Sequence, residues 1–291
     1  MTETHPDVAA VVVSYNVADL LVRCVESLRA DGISRVVVVD NASSDGSVEA
    51  IRRADPGVEV VALERNVGYG AGVNRGAART TEAHLLVLNC DVEVEPGSTK
   101  VLLEALARDG GLAVVGPGIV TSEGELYPSA RTFPDLVDAA GHAFLHFVWP
   151  SNPFSRRYRM LDWDHGEARN VDWVAGTHLL ARRAAWDEVG GFDEAFFMYM
   201  EDVDLCWRLH RAGWRVGYEP GATVIHGIGR STDQTPYRMI AAHHRSLLRY
   251  AARTSEGRQR LVLPLIAVAL GLRTVMAWVQ RAMRGRPHAA P

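Results

Sequence analysis

Cysteine is scarce and scattered in this 291-residue chain: Cys24, Cys90 and Cys206, with no CxxC pair. An odd number of distant thiols offers neither a disulfide framework nor a thiolate zinc site, and it fits a reducing cytoplasm. An excess of positive charge is also missing. Lys and Arg number 31 against 35 Asp and Glu, a formal net charge of -4, which gives no support to nucleic-acid binding across the surface. The opening MTETHPD has neither the basic nor the apolar region of a signal peptide, so the folded part is expected in the cytoplasm. No internal repeat or low-complexity tract interrupts the chain. What remains is a hydrophobic content of 47% with 23% charged residues, ordinary for a globular protein of one large or two small domains.

The last segment departs from this average. Between Arg253 and Pro291 lie seven arginines and a single acidic residue, Glu256. Within it stands LVLPLIAVALGL (261–272), 12 residues that include Pro264 and Gly271 and are followed by Arg273. That run is short of the roughly 20 apolar residues that cross a bilayer. The mixture predicts a helix lying in a membrane interface, its arginines reaching anionic headgroups. The alternative use of such a helix is docking on the chain's own core or on a second copy in a homodimer.

Ahead of the tail, apolar runs and helical periodicity alternate. Val8 to Tyr15 (VAAVVVSY) is a continuous apolar run of strand length, typical of a parallel strand covered on both faces, and Arg35 to Asp40, Val58 to Leu63 and His84 to Asn89 are the next predicted strands. Asp19 to Ala30, Gly46 to Arg53 and Gly70 to Arg79 are predicted helices, and Leu20, Leu21, Cys24, Val25 and Leu28 share one face of the first. The order predicts an α/β sheet with right-handed crossovers. Further strands are expected at Ala113 to Val120 and Val171 to Ala181. The Pro-, Trp- and Arg-rich stretch between them (147–170) is long for a plain connection and reads as a lid or an acceptor-binding segment.

Ligands of such sheets bind beyond the carboxyl ends of the strands, where Tyr15, Asp40, Asn66 and Asp91 fall. Asp40 ends four valines and offers acceptors for a pyrimidine N–H or ribose hydroxyls, with Asn41 shaping the turn. The loop from Arg65 to Asn74 has GxGxG spacing, a poor match to a dinucleotide fingerprint, which disfavours a dehydrogenase. Its glycines suit close backbone approach to a nucleotide or close helix–sheet packing, with Asn66 and Asn74 fixing the loop. Asp91, after Asn89 and Cys90, suits a hard cation such as Mg²⁺ or Mn²⁺ that takes one carboxylate plus diphosphate oxygens. His226, after another apolar run, is a packed or turn residue when taken alone. Glu201 and Asp202 open an amphipathic helix, whose N-terminus is expected to keep a carboxylate ionised and ready to accept a proton. Asp204 is expected only to cap.

Together VVVSYN, VVDNASSDGS, ERNVGYGAGVN, LNCDVEV, GGFDEAFFMYMEDVDLCWRLHRAGW and VIHGIGRST resemble the inverting family-2 glycosyltransferases of GT-A fold, over roughly residues 8 to 230. The resemblance implies an α/β, Rossmann-like mixed sheet flanked by helices. The catalytic domain is then 1–235, a nucleotide-binding half at about 8–110 and an acceptor half at about 111–235, with a helical, basic and apolar tail at 236–291. It implies a nucleotide-sugar site of Val13, Tyr15, Asp40, Asn41, Asn66, Gly68, Asn74 and Asn89, and a diphosphate clamp at Arg230-Ser231. Asp91 would hold a divalent metal, His226 would join it, and Asp202 would be the base. The acceptor would meet Trp173, Gly176, Thr177 and Glu201. The DxD common in the family is reduced here to Asn89-Cys90-Asp91, so one carboxylate must serve.

Within the family, LYPSARTFPD, FVWPSNPFSRRYR, FMYMEDVDL and AAHHRS are similar to the actinobacterial rhamnosyltransferases. That similarity implies transfer of L-rhamnose from dTDP-rhamnose to N-acetylglucosaminyl-diphosphoryl-polyprenol, in building the cell-wall linker, by an enzyme peripheral to the inner face of the membrane. Another donor, galactofuranosyl or hexosyl, is the alternative within the family. A non-catalytic nucleotide-sugar-binding subunit is the alternative outside it.

Overall fold

The computed structural model describes residues 3–134, 149, 152, 153, 156, 160, 162–227 and 236–283. Its nucleotide half is the predicted alternation. Strands β1 (Val8–Ser14), β2 (Arg35–Asp40), β3 (Glu59–Ala62) and β4 (His84–Asn89) are joined by helices α1 (Ala18–Ala30), α2 (Ser47–Ala54) and α3 (Tyr69–Ala77). They pair in parallel in the order β3-β2-β1-β4. Every residue of β1 is buried, as a strand sandwiched between helical layers requires. The predicted face of α1 faces the core, with Leu21, Cys24, Val25 and Leu28 buried and Leu20 half-buried.

The second half turns the sheet mixed. After β5 (Val92–Val94) and α4 (Ser98–Arg108) come β6 (Leu112–Thr121), β7 (Leu126–Tyr127), β8 (Ala130–Arg131), β9 (Arg169–Val171), β10 (Trp173–Val174) and β11 (His178–Arg182). Then follow α5 (Arg183–Val189), α6 (Glu201–Arg211) and β12 (Arg215–His226). The sheet runs on from β4 as β11-β6-β12-β5, with β7 beside β6 and β9 beside β12. Strand β11 is antiparallel to both β4 and β6, whereas β12 is parallel to β6. The strand expected at Val171 to Ala181 is three pieces. Residues Ala175–Thr177 leave the sheet between β10, which pairs with β8, and β11. An unbroken apolar pattern hides that break because period alone does not report a change of pairing partner.

Register gathers the strand ends. Ser14 lies beside Asp40, Val13 beside Asn89 and His178 beside Leu88, while His226 at the end of β12 lies beside Val92. Because β11 runs the other way, it is its entrance, at Gly176-Thr177, that reaches this edge, fixed by the Asn89 N–H donating to the Thr177 carbonyl at 3.0 Å.

The tail is two helices, α7 (Pro236–Thr254) and α8 (Leu263–Met283), linked by a 3-10 turn. The 27-residue helical stretch Gly257–Met283 is long and apolar enough to cross a membrane by length and composition, with a mean hydropathy of 2.0 in its best window. The 12-residue run therefore underestimates it: Arg273 does not end the helix, and Val275, Met276 and Val279 continue its apolar side. Docking on the chain's own core does not describe α8 either, since none of its residues is buried. The stretch 147–170 falls largely outside the described residues. Trp163 within it stacks on His165 (4.2 Å between rings) and meets Tyr218 edge-on (5.1 Å), covering the back of β12.

Candidate active site

At the shared strand edge lies a cavity of about 460 Å³. Its walls bring together Val13, Tyr15, Asn41, Asn66, Asn89, Asp91, Trp173, Gly176, Thr177, Glu201, Asp202 and His226, twelve of the sixteen candidate residues other than Ser231 named from the sequence. Three others, Asp40, Gly68 and Asn74, stand behind the wall, and Arg230 with Ser231 lies outside the described residues.

The acid pair opens α6 after a strained entry. Tyr199 and Met200 both adopt left-handed backbone conformations (φ 66° and 68°), which non-glycine residues rarely take. This turn aims Asp202 into the cleft. Its Oδ2 accepts the Gly176 N–H at 2.9 Å and its Oδ1 accepts the Val203 N–H at 2.9 Å. The Tyr69 hydroxyl donates to the Gly176 carbonyl at 2.6 Å, so Asp202 and Tyr69 hold the two peptides that flank the Gly176 Cα. Burial, then the charges of Glu201 and Asp202, hold the Tyr69 phenol well above its usual range, and it stays a donor.

The helix N-terminus does not keep these acids in the ordinary carboxylate range. Burial pushes Asp202 up, opposed by its two backbone hydrogen bonds and by the Arg131 charge. Burial and then the neighbouring Asp202 charge drive Glu201 well above its usual value. Desolvation wins because the helix-end effect is worth only about 0.3–1 kcal/mol at an exposed site, whereas moving a carboxylate out of water costs several. Glu201 Oε2 is buried without a hydrogen-bond partner, which suits a protonated neighbour to an ionised Asp202.

Asp91 follows β4 and faces His226. Asp91 Oδ1 lies 3.2 Å from His226 Nε2 without hydrogen-bond geometry, and both Asp91 Oδ1 and His226 Nδ1 are buried with no hydrogen-bond partner. The buried, unpartnered Asp91 Oδ1 and the His226 Nε2 that faces it at 3.2 Å fit a borderline-hard divalent cation. No group of three or more His, Cys, Asp or Glu side chains suited to a metal occurs among the described residues, so further ligands must come from substrate or water. Cys90 is not one of them: burial lifts its thiol to about 12, and it stays neutral.

The loops after β2 and β3 are set by asparagines. Asn41 donates from Nδ2 to the Gly68 carbonyl at 3.0 Å and accepts the Val67 N–H at 2.8 Å, locking the Asn66 loop against the end of β2. Asp40 is 3% exposed; its Oδ2 accepts the Ser43 N–H at 2.9 Å, while Oδ1 is left without a partner. Asn74 faces away from the cavity, donating to the Phe192 carbonyl at 2.8 Å and accepting the Phe192 N–H at 3.0 Å. Gly68 (φ +93°) lets the chain pass the Phe197 carbonyl, 2.2 Å from where a Cβ would stand, and Gly76 lies on β1, 2.4 Å from Val11 Cγ1 on the same measure. Within the loop, Gly72 packs on β1, where an added Cβ would stand 3.2 Å from Val13 Cγ1, while Gly68 makes room for the Phe197 backbone. Asp204 does more than cap: fully buried, it pairs with Arg208 at 2.8 Å and with Arg253 of α7 at 2.6 Å.

Several cavity residues escaped the sequence reading: Tyr69, Tyr127, Arg131, Tyr199, Arg238 and His243. Arg131 lies over the Trp173 ring (5.2 Å) and donates to the Tyr127 hydroxyl at 3.2 Å. LYPSARTFPD and AAHHRS carry three of these residues, Tyr127, Arg131 and His243, yet only tertiary contact brings them to the cleft.

Comparison with known proteins agrees with this geometry. Residues 9–175 match the family model described as glycosyl transferase family 2, and residues 146–283 match glycosyl transferase family group 2. The chain is 39% identical over 270 residues to the N-acetylglucosaminyl-diphospho-decaprenol L-rhamnosyltransferase of Mycobacterium tuberculosis, covering 88% of this chain and 87% of that one. It is 33% identical to the pre-mycofactocin glycosyltransferase of the same species, over 77% of this chain and 43% of the other. Among solved structures, the mannosyltransferase of Pyrobaculum calidifontis in complex with GDP-Man and Mn²⁺ aligns with a TM-score of 0.60 at 16% identity, covering 94% of this chain and 76% of that one. GalNAc-T7 with UDP, GalNAc and Mn²⁺ aligns at 0.56, also at 16% identity, over 77% and 44%. These neighbours share the GT-A fold. The chain is a glycosyltransferase and belongs to glycosyl transferase family 2.

Proposed function

We propose that this enzyme transfers L-rhamnose from dTDP-rhamnose, with inversion, to an N-acetylglucosaminyl-diphosphoryl-polyprenol. The observation that carries the chemistry is Asp202, a buried carboxylate oriented by two backbone N–H groups in the cavity that also holds Asp91 and His226. The substrates follow from the near full-length match to a rhamnosyltransferase named for a polyprenyl-diphosphate acceptor. The acceptor hydroxyl oxygen attacks the anomeric carbon, the bond to the dTDP oxygen breaks, and the electron pair leaves with dTDP. Asp202 takes the hydroxyl proton. Glu201, Trp173 and Thr177 shape the acceptor side, and Tyr15, Asp40, Asn41 and Asn66 the nucleotide side.

Asp91 and His226 would hold Mg²⁺ or Mn²⁺, which when bound offsets charge on the departing diphosphate. The exposed apolar side of α8 supports peripheral attachment to the inner face of the cell membrane, where a polyprenyl acceptor resides. Vesicle binding independent of protein concentration would separate this from a homodimer formed through the same surface. The function itself is tested by incubation with dTDP-rhamnose and a short-chain lipid-diphosphate-GlcNAc acceptor, followed by mass analysis. A mass gain of one deoxyhexose supports it. Transfer only from a galactofuranosyl or hexosyl donor would replace the sugar and keep the mechanism.

A further inference from the structure

Helix α8 is amphipathic in the reverse sense for a water-facing helix. Its outward side is apolar: Leu265 is 70% exposed, Val268 61%, Leu272 64% and Val275 55%. Its polar residues Arg273 and Thr274 are turned toward α7, and the Thr274 hydroxyl meets His244 Nδ1 at 2.8 Å. Trp278 Nε1 donates to the Tyr237 carbonyl at 3.0 Å, so the two helices run antiparallel. Were α8 to cross a bilayer in this packing, it would carry the α7 residues Arg238, Arg245 and Arg249 into hydrocarbon. Lying along the surface, its apolar side, about 30 Å long at 1.5 Å per residue, enters the lipid while α7 stays at headgroup level.

Helix α7 in turn reaches the cavity. Arg238, Met239 and His243 line it. Arg238 stands over the Phe197 ring (4.9 Å), His243 meets the Tyr199 ring (5.1 Å), and the Ser246 hydroxyl donates to the Met198 carbonyl at 2.9 Å. The helix therefore clamps the segment that leads into the acid pair. A lipid-diphosphate acceptor brings two phosphates into a cavity that already contains Asp91, Glu201 and Asp202, and they need cations of their own. His226 faces Asp91, and Arg131 is engaged with Trp173 and Tyr127 beside Asp202. Arg238 is exposed at the rim, and no carboxylate among the described residues pairs with it.

We infer that the cavity face of α7 is the acceptor-lipid subsite: Arg238, with His243 beside it, binds the acceptor diphosphate, and α8, embedded in the plane of the bilayer, lets the polyprenyl chain reach that site without leaving lipid. The inference rests on the polyprenyl-diphosphate reading of the acceptor.

The test uses the full chain with two acceptors of the same headgroup, a long-chain one in phosphatidylcholine–phosphatidylglycerol vesicles and a short-chain, water-soluble one. Arg238→Ala is expected to raise the KM for both acceptors about tenfold, as loss of charged hydrogen bonds does, with Arg238→Lys recovering most of it. The KM for dTDP-rhamnose should stay within about twofold. The combined variant Leu265→Gln, Val268→Gln, Leu272→Gln and Val275→Gln is expected to lose about tenfold in rate on the vesicle acceptor and to keep its rate on the soluble one. A rise in donor KM for Arg238→Ala, or an unchanged acceptor KM, overturns the diphosphate assignment. Equal effects of the outer-face variant on both acceptors, or none, overturn the role of α8. Binding of the acceptor lipid measured without donor keeps the two readings apart. If the unmodified enzyme binds the lipid but transfers no rhamnose, the donor assignment alone fails; if it does not bind the lipid, this inference fails too.

Discussion

Asp202 and Gly176 are built against each other. The carboxylate accepts the glycine N–H at 2.9 Å, and a Cβ added to Gly176 would stand 3.1 Å from Asp202 Cβ and 3.6 Å from Oδ2. Any side chain at Gly176 must therefore displace the Asp202 side chain by a few tenths of an ångström. Gly176→Ala is expected to lower kcat by about 10- to 100-fold, as a small misplacement of a reacting group does. Calorimetric Tm should change little and donor affinity should hold. An unchanged kcat would show that the peptide does not position the base.

The acid pair has a pH signature. Asp202 is raised by burial, so the acid limb of the kcat/KM profile should fall at a pH above the ordinary Asp range. The Arg131 cation favours the ionised form and partly offsets that rise. Removing it with Arg131→Met raises the Asp202 pKa, and the limb should move to higher pH. A limb that stays in place contradicts the electrostatic link.

Glu201 carries the same physics into stability. Its folded pKa is above its unfolded value, so the folded state binds more protons, and the favourable contribution present below the unfolded pKa is lost as pH rises through the folded one. Glu201→Gln removes a charge that the wild type must suppress. Its Tm gain over wild type should be small near pH 4 and grow toward pH 8. A gain independent of pH would contradict protonation as the cause.

Asp91 and His226 make a separable prediction. Asp91→Ala should weaken dTDP-rhamnose binding in buffer containing Mn²⁺ or Mg²⁺ and have no further effect once the ions are chelated. Equal losses in both buffers, read by calorimetry, would assign Asp91 a purely structural role.

Arg253 joins the tail to the catalytic domain through Asp204 at 2.6 Å and Asp193 at 2.6 Å. Arg253→Met leaves fully buried Asp204 with Arg208 alone. The expected cost is about 2 kcal/mol in urea unfolding, below that of removing a buried charge's only partner.

What could be read without coordinates was the part written in local pattern. The runs VAAVVVSY, RVVVVD and HLLVLN place β1, β2 and β4, and the polar residue ending each falls at one edge because parallel strands share a direction. The break at Ala175–Thr177 has no local mark, since pairing with β8 and then with β4 is decided far along the chain. The raised pKa of Glu201 is hidden for a related reason: a helix N-terminus is visible in sequence, whereas the burial that outweighs it is not. Arg131, Tyr69 and Arg238 reach the cleft only through tertiary packing. The length of the apolar run does not report the reversed polarity of α8, which lies in the face its apolar residues occupy.

If Asp202 is the base, its loss must separate donor binding from sugar transfer. The most direct measurement is Asp202→Asn assayed twice on one preparation, for dTDP-rhamnose affinity by calorimetry and for rhamnosyl transfer by mass analysis. Donor affinity is expected within about twofold of wild type, and transfer reduced at least about a thousandfold. Retained transfer, or donor binding lost together with activity, would contradict Asp202 as the base.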